Sequence, residues 1–542
     1  MHRAHVRRQV LLLTLLLSLQ TPGAGRDAPS SVESRQHRRI LDKRSGILED
    51  LRFELSEVSN WCRDNGLGQA AADVTQLSLD LTTDGPHVTP PRMVTLPVSR
   101  TLPEAERQWR LRVQKLRQDR AGELYTLARR ALRGGLPSVA YRIVEDVLRL
   151  DPDQSSARAV LGQQLFLDPL REDDLTYAGE WVSAYEASRR GGRVPHILHE
   201  EYGWIPRAHE TRYDEGMRLW KGSWISEEKE AETRRDFRNA WEVESEHFLV
   251  RTNTGLEEGV VLSRQLEVFN EWLRQNFAAF FETPKELRDR FEQAQSRRRR
   301  RSASRKPMEV CYFATREEYQ QRIRSRVPAG IETNGLYWQP DRTCYFFRNE
   351  QRHGLDTLFH EATHQILDIP TRPARGAAAR ALARRQRTQP KEWVLGGRSG
   401  FWLIEGLACY FESFQVKDGV VSVGRPDHIR FVAAQQRLLR DNFYIPLESF
   451  CRLGKDEFQH HPNVRQLYSQ ASGVAHFLMH YDDGLYRDDL VRLLAARYQP
   501  DVASLQAEPN LSGITGVSFA ELDQQYREHM EDLAQQVIQL GN

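Results

Sequence analysis

Two histidines four residues apart, His360 and His364, with Glu361 beside the first, restrict the fold around them more tightly than any other stretch of the 542-residue chain. Residues i and i+4 of an α-helix share one face, so a helix over this segment aims both imidazoles at one point. Glu361 then stands one position round, turned toward a water at that point. The flanks agree: Leu355, Leu358, Phe359, Ala362, Ile366 and Leu367 supply an apolar side, and Pro370 lies beyond the end. At this histidine content a His-Glu-x-x-His pentapeptide arises by chance only about 0.04 times per chain. The spacing predicts a helix from about Leu355 carrying two metal ligands, His360 and His364. The bland alternative is an ordinary helix with two histidines.

A catalytic zinc takes three protein ligands and one water. A third histidine six or ten residues on is excluded, because those positions are Pro370 and Ala374. The other source is a glutamate on a later helix, and Trp402-Leu403-Ile404-Glu405-Gly406-Leu407-Ala408-Cys409-Tyr410-Phe411-Glu412 offers one. This WLxEGxAxYxE segment resembles the second-helix motif of the gluzincin metallopeptidases, the clan of thermolysin and aminopeptidase N. Within it the chain looks most like the exported bacterial peptidase-MA-like group. The resemblance runs over residues 245–540, with strong motifs at 358–368 and 402–412. It implies Glu405 as third ligand of a Zn2+ cofactor and Gly406 and Ala408 as small residues that let helices approach. Glu361 would be the general base, and a peptide or protein the substrate. It also implies an oxyanion donor at Tyr468, where aminopeptidase-like relatives direct a tyrosine at the tetrahedral intermediate; a core tyrosine is the other reading. The chain departs from its better-known relatives in three ways. It lacks the GxMEN exopeptidase motif, has Ile404 where Asn often precedes the glutamate, and has a long gap between His364 and Glu405.

Other histidines are read as structural. His476 and His480 lack the intervening glutamate, and His460-His461 is expected in a polar loop. Gly335–Trp338 and Thr343–Phe347 form the arms of a hairpin just before the motif helix. There it is either the sheet edge that receives an extended substrate or a plain apolar hairpin.

The rest of the chain frames this unit. Met1–Arg8 carries three Arg, Val10–Leu19 is apolar but for Thr14 and Ser18, and Gly23, Ala24 and Gly25 follow, so residues 1–25 read as a signal peptide and the product as secreted or periplasmic, with a short uncleaved N-terminal anchor as the alternative. Residues 26–103 read as a helical segment, with Leu48, Leu51, Leu55 and Val58 in register, and a Pro-rich linker. Residues 104–244 read as helix to Phe166, either one tetratricopeptide-like unit or an ordinary helical hairpin, then a Trp-rich connector. Residues 245–542 form the catalytic domain, with an Arg- and Ala-rich surface insertion at 370–400. The expected fold class is α+β: a mostly helical N-terminal region, then a thermolysin/aminopeptidase-like domain whose small sheet supports the two motif helices.

A formal charge of +2, from 77 Lys+Arg against 75 Asp+Glu, argues against nucleic acid as a partner. No apolar run reaches the ~20 residues of a membrane span, so no stable membrane insertion is expected. The Arg297–Arg301 run is a solvated loop or an anion contact. Five dispersed cysteines make no disulfide framework; Cys311 and Cys344 either pair or are buried thiols. Two rival readings fit the same residues. One is a non-catalytic interaction protein that binds a partner through its helical region and keeps a vestigial metal site. The other is a hydrolase of a non-peptide amide.

Overall fold

In a computed structural model, the chain is described over residues 32–81, 87–88, 90–171, 173–292, 306–327, 333–349, 355–368, 399–417, 419–498 and 509–540. The signal peptide, Arg297–Arg301 and nearly all of the 370–400 insertion lie outside these residues. The described chain is mixed α+β. Among the described residues, no helix is long and apolar enough to cross a membrane.

The N-terminal region is a helical layer. Val32–Asp64 and Gly68–Leu79 are separated at Gly66, whose positive φ of 74° breaks the predicted run. Glu104–Arg133 and Pro137–Leu150 form the expected hairpin. The chain reverses at Gly135, φ 81°, where Gly135 N–H bonds to Leu132 and Leu136 N–H to Ala131. That pairing satisfies the last carbonyls of the first helix. Leu48, Leu51, Leu55 and Val58 pack with Leu124, Ala128, Ala131, Ala140, Val144 and Leu148 in one core. Leu287 and Phe291, from far along the chain, close that core. Asp488 reaches across to accept Ser138 N–H and Oγ–H at 3.0 and 2.8 Å, serving as a cap in trans for Pro137–Leu150.

The expected helix to Phe166 stops early. Val160 is its last residue, Gly162 turns at φ 80°, and Gln163–Phe166 is a strand paired with Glu180–Ser183. The Trp-rich connector is not irregular. It contains three hairpins, each followed by a short helical segment. Their second strands share a signature: Trp181-Val182-Ser183, Trp204-Ile205-Pro206 and Trp224-Ile225-Ser226. Ser183 and Ser226 cap the following helices through Glu186 N–H and Lys229 N–H. A lone two-stranded hairpin is marginal in water, and here the tryptophans link the units in series. Arg158 lies over Trp181, Tyr185 packs edge-on against Trp204, and His209 and Tyr213 against Trp224. Arg234 lies over Trp241, the first residue of the next sheet. In each case a side chain from the element before a hairpin covers that hairpin's tryptophan.

The principal sheet has five strands in the order Gly335–Trp338, Thr343–Phe347, Met308–Phe313, Phe248–Thr252, Trp241–Glu244. The inner three are parallel and both edges antiparallel. The edge strand Trp241–Glu244 belongs to the end of the connector rather than to residues after 245. Val250, Val310, Cys344 and Phe346 face one core with helix Leu256–Asn276 and the motif helix. Cys311, Phe313, Tyr345 and Phe347 face a smaller core under helix Arg316–Ile323. Alternation therefore puts Cys311 and Cys344 on opposite faces. They are free buried thiols, as are the other three cysteines.

Helices from Phe401 onward complete the unit. Phe401–Phe411 crosses Val464–His480 so closely that a Cβ on Gly406 would stand 2.5 Å from the Ala471 carbonyl oxygen. This is the close approach expected of Gly406.

Candidate metal centre

The motif helix runs from Asp356 to Leu367, and Phe359, Ala362, Ile366 and Leu367 bury its apolar side. That anchoring turns His360 and His364 together toward the helix Phe401–Phe411, where Glu405 meets them. His360 Nε2 lies 3.8 Å and His364 Nε2 3.9 Å from the Glu405 carboxylate oxygens. One ligand atom from each of the three residues lies within 4.8 Å of the others. These separations are too long for hydrogen bonds. They are slightly wider than the roughly 3.3–3.5 Å that bonds of ~2.1 Å to one tetrahedral ion give. The donor set, two imidazoles and a carboxylate, is the one that zinc takes. The three side chains are 13–18% exposed, so the point they surround is deep but reachable.

The electrostatics show how unbalanced this cluster is by itself. Burial raises Glu405 to about 7. Burial, the His360 charge and the Lys455 ammonium lower His364 to about 3. Burial would lower His360 too, but the Cys409 thiol and the Glu412 carboxylate outweigh it and hold His360 above its ordinary value. The two imidazoles differ because only His360 has acceptors behind it. A cation among the three would favour the deprotonated imidazoles and the ionised carboxylate together.

Glu361 is half-buried, and that burial raises its pKa. Its Oε2 accepts the backbone N–H of Tyr337 at 2.7 Å. Tyr337 sits on the sheet-edge strand, and its hydroxyl donates to Asp368 at 2.7 Å, as does Gln339 Nε2 at 3.0 Å. The edge strand is thus fastened to both ends of the segment from the base to the helix terminus. The hairpin lies at the sheet edge beside the metal ligands.

Tyr468 lies in Val464–His480, half-buried against Phe458. Burial and then the Glu405 charge raise its pKa, with Gln459 acting in the opposite direction. His476 and His480 belong elsewhere. His476 Nε2–H donates to the Gly424 carbonyl at 2.9 Å, so its Nδ1 accepts from His529 Nε2–H at 2.9 Å. His480 Nε2 accepts from Tyr410 at 2.8 Å. Burial lowers all three, so this is a neutral packed cluster. His460 and His461 occupy a turn, bonded to Asp456 O and Asn463 N–H.

Sequence reasoning gave no role to three residues around His360. Glu412 Oε1 accepts His360 Nδ1–H at 2.9 Å. Arg430 donates from Nε to Glu412 Oε2 at 2.7 Å and from Nη2 to Oε1 at 2.6 Å. Burial would raise Glu412, but His360 and Arg430 bring it down to about 2. Cys409 lies beside the same imidazole, in a second compact group with His360 and Glu412. A carboxylate on Nδ1–H fixes the tautomer that leaves Nε2 free for a metal. Glu412 could have been found, since position i+7 from Glu405 returns to the same helix face. Arg430 carries no sequence signal.

In comparison with known proteins, no family model matches the chain and no curated protein matches it in sequence.

Proposed function

We propose that this chain is an exported zinc-dependent metallopeptidase of the gluzincin type, acting as an endopeptidase with a thermolysin/aminopeptidase-like catalytic domain. The observation that carries the reading is the convergence of His360, His364 and Glu405 from two separate helices, with Glu361 beside them. Bound there, zinc would supply Lewis acidity toward a carbonyl oxygen and a water acidified toward pKa ~7. Glu361 takes the proton of the attacking water and returns it to the departing amine. Tyr468 donates to the developing oxyanion. An extended peptide lies along Gly335–Trp338, pairing with its outward backbone groups other than the Tyr337 N–H, which Glu361 holds. Glu412 and Arg430 hold His360 in place throughout. The sequence lacks the exopeptidase signature, which favours internal cleavage, and the apolar N-terminal segment favours export.

The test is zinc content followed by cleavage of a mixed peptide pool with and without chelator. One zinc per chain, lost in His364→Ala, and chelator-sensitive cleavage are expected. Zinc bound without hydrolysis of any peptide would instead favour the non-catalytic interaction protein.

A further inference from the structure

His360 belongs to two compact groups of metal-type side chains at once. Its Nε2 faces Glu405, beside His364, while its Nδ1 faces Glu412. His360, Cys409 and Glu412 also bring one ligand atom each to within 4.8 Å of the others. Imidazole, thiolate and carboxylate form a competent set for zinc or cadmium, and Cys409 and Glu412 are buried. The chain thus contains a rival for the ion directly behind its metal ligands. Both groups need the same imidazole, and an ion on Nδ1 would displace the bond that orients it.

One residue stands between the two outcomes. The Arg430 guanidinium grips both oxygens of Glu412 at 2.6–2.7 Å, and the oxygen it shares is the one that His360 Nδ1–H donates to. Its backbone is fixed as well: the carbonyl accepts Ser472 Oγ–H at 3.3 Å, and the amide donates to His428 Nδ1 at 3.5 Å. We propose that Arg430 is a positioning residue that fills the cation place behind His360, so that the imidazole offers only Nε2 and the chain holds a single metal ion. The planar fork occupies the carboxylate lone pairs that a second ion would need. Its charge repels a divalent ion at that place. This inference rests on the metallopeptidase reading of His360, His364 and Glu405.

Cadmium titration of the full chain tests it, with bound ion counted after dialysis and thiolate-to-metal absorption recorded. The wild-type chain should take one ion per chain, lost in His364→Ala, with no thiolate band even in excess cadmium. Arg430→Gln should gain a thiolate band that Cys409→Ser abolishes in the same background. Its affinity at the original site should fall by about 10–100-fold, the scale for losing an outer partner of a ligand. Arg430→Lys, which keeps the charge but loses the fork, should show a weaker band than Arg430→Gln. Arg430→Gln with one ion, no band and wild-type affinity overturns the proposal. A thiolate band in the wild type overturns it whether or not Arg430→Gln folds. A wild-type chain that takes up no ion, or whose uptake survives His364→Ala, overturns the metal-site reading itself and this inference with it.

Discussion

Replacing Glu361 with glutamine changes one carboxylate oxygen to an amide nitrogen and separates binding from chemistry at a single position. In the native chain Glu361 Oε2 accepts Tyr337 N–H at 2.7 Å, and the glutamine carbonyl oxygen can keep that bond. His360, His364 and Glu405 are untouched, so zinc should stay near one per chain. What is lost is the base. General-base contributions are ~10²–10⁴-fold, which at about 1.36 kcal/mol per decade is roughly 3–5 kcal/mol on the barrier. Glu361→Ala adds a second penalty. It orphans the Tyr337 amide, which costs ~1–3 kcal/mol of stability where that group is shielded from water. The assay has three readouts: metal content, initial rates on a chelator-sensitive peptide substrate, and thermal unfolding with and without zinc. Glu361→Gln should retain the zinc-induced rise in unfolding temperature, because an ion that binds only the folded chain stabilises it by mass action. Its rate should fall at least ~100-fold. Full activity in Glu361→Gln would falsify the assigned mechanism even with zinc bound.

Glu405→Gln should weaken zinc itself, since a neutral amide is a poorer ligand; dialysis against a chelating dye measures it. Tyr468→Phe should leave zinc unchanged and lower kcat by roughly 10²–10³-fold if the hydroxyl serves the oxyanion; an unchanged rate assigns it to the core. Gly424 has φ 75°, and a Cβ there would collide with His480 Nε2; Gly424→Ala should cost roughly 1–3 kcal/mol or more in chemical denaturation. His37 is buried with both ring nitrogens unpartnered, facing Asp482, Asp483, Arg487 and Arg142, and burial lowers it to about 4. The unfolded chain binds this proton more tightly, so the contribution of His37 is complete above about 6.5 and is lost as pH falls toward 4. His37→Leu should flatten that slope in urea unfolding between pH 7 and 5. Asp488 runs the opposite way: burial raises it to about 6, so its contribution is present below its unfolded value and lost as pH rises through 6.

The parts of this chain that were legible are those whose information is local. His360, Glu361 and His364 lie within one helical turn, and 3.6-residue geometry alone brings the histidines together. The stripe of Leu48, Leu51, Leu55 and Val58 was legible for the same reason. Parallel pairing was not, because nothing in Phe248–Thr252 or Met308–Phe313 states which strand lies beside which. The register that separates Cys311 from Cys344 follows only once those strands are placed. The series of three hairpins was not legible for a different reason. Its period is carried by one tryptophan and its neighbour per unit, while helix lengths and loops vary. Trp181, Trp204 and Trp224 therefore read as composition until their strand positions coincided.

The same division explains why the ligands were easier to find than what holds them. A ligand set is constrained by the chemistry of the ion, which fixes residue types and repeats across unrelated chains. The partners behind it are constrained only by charge and reach, so any helix that packs nearby can supply them. Here the helix Ile429–Leu439 supplies Arg430, and its reach to Glu412 depends on the packing of that helix against Val464–His480, where Ser472 meets the Arg430 carbonyl. Val464–His480 also presses against Gly406 on the helix that carries Glu405. One helix, Val464–His480, therefore packs against both the element that carries the third ligand and the element that supplies the clamp on the first. Gly406→Ala should accordingly disturb more than stability. A methyl group 2.5 Å from the Ala471 carbonyl must separate the two helices, at a cost of about 1–3 kcal/mol for overpacking. The shift moves Glu405 relative to His360 and His364, so zinc affinity should fall along with the unfolding temperature. A variant that loses stability but binds zinc as tightly as the wild type would show that the ligand geometry does not depend on this crossing.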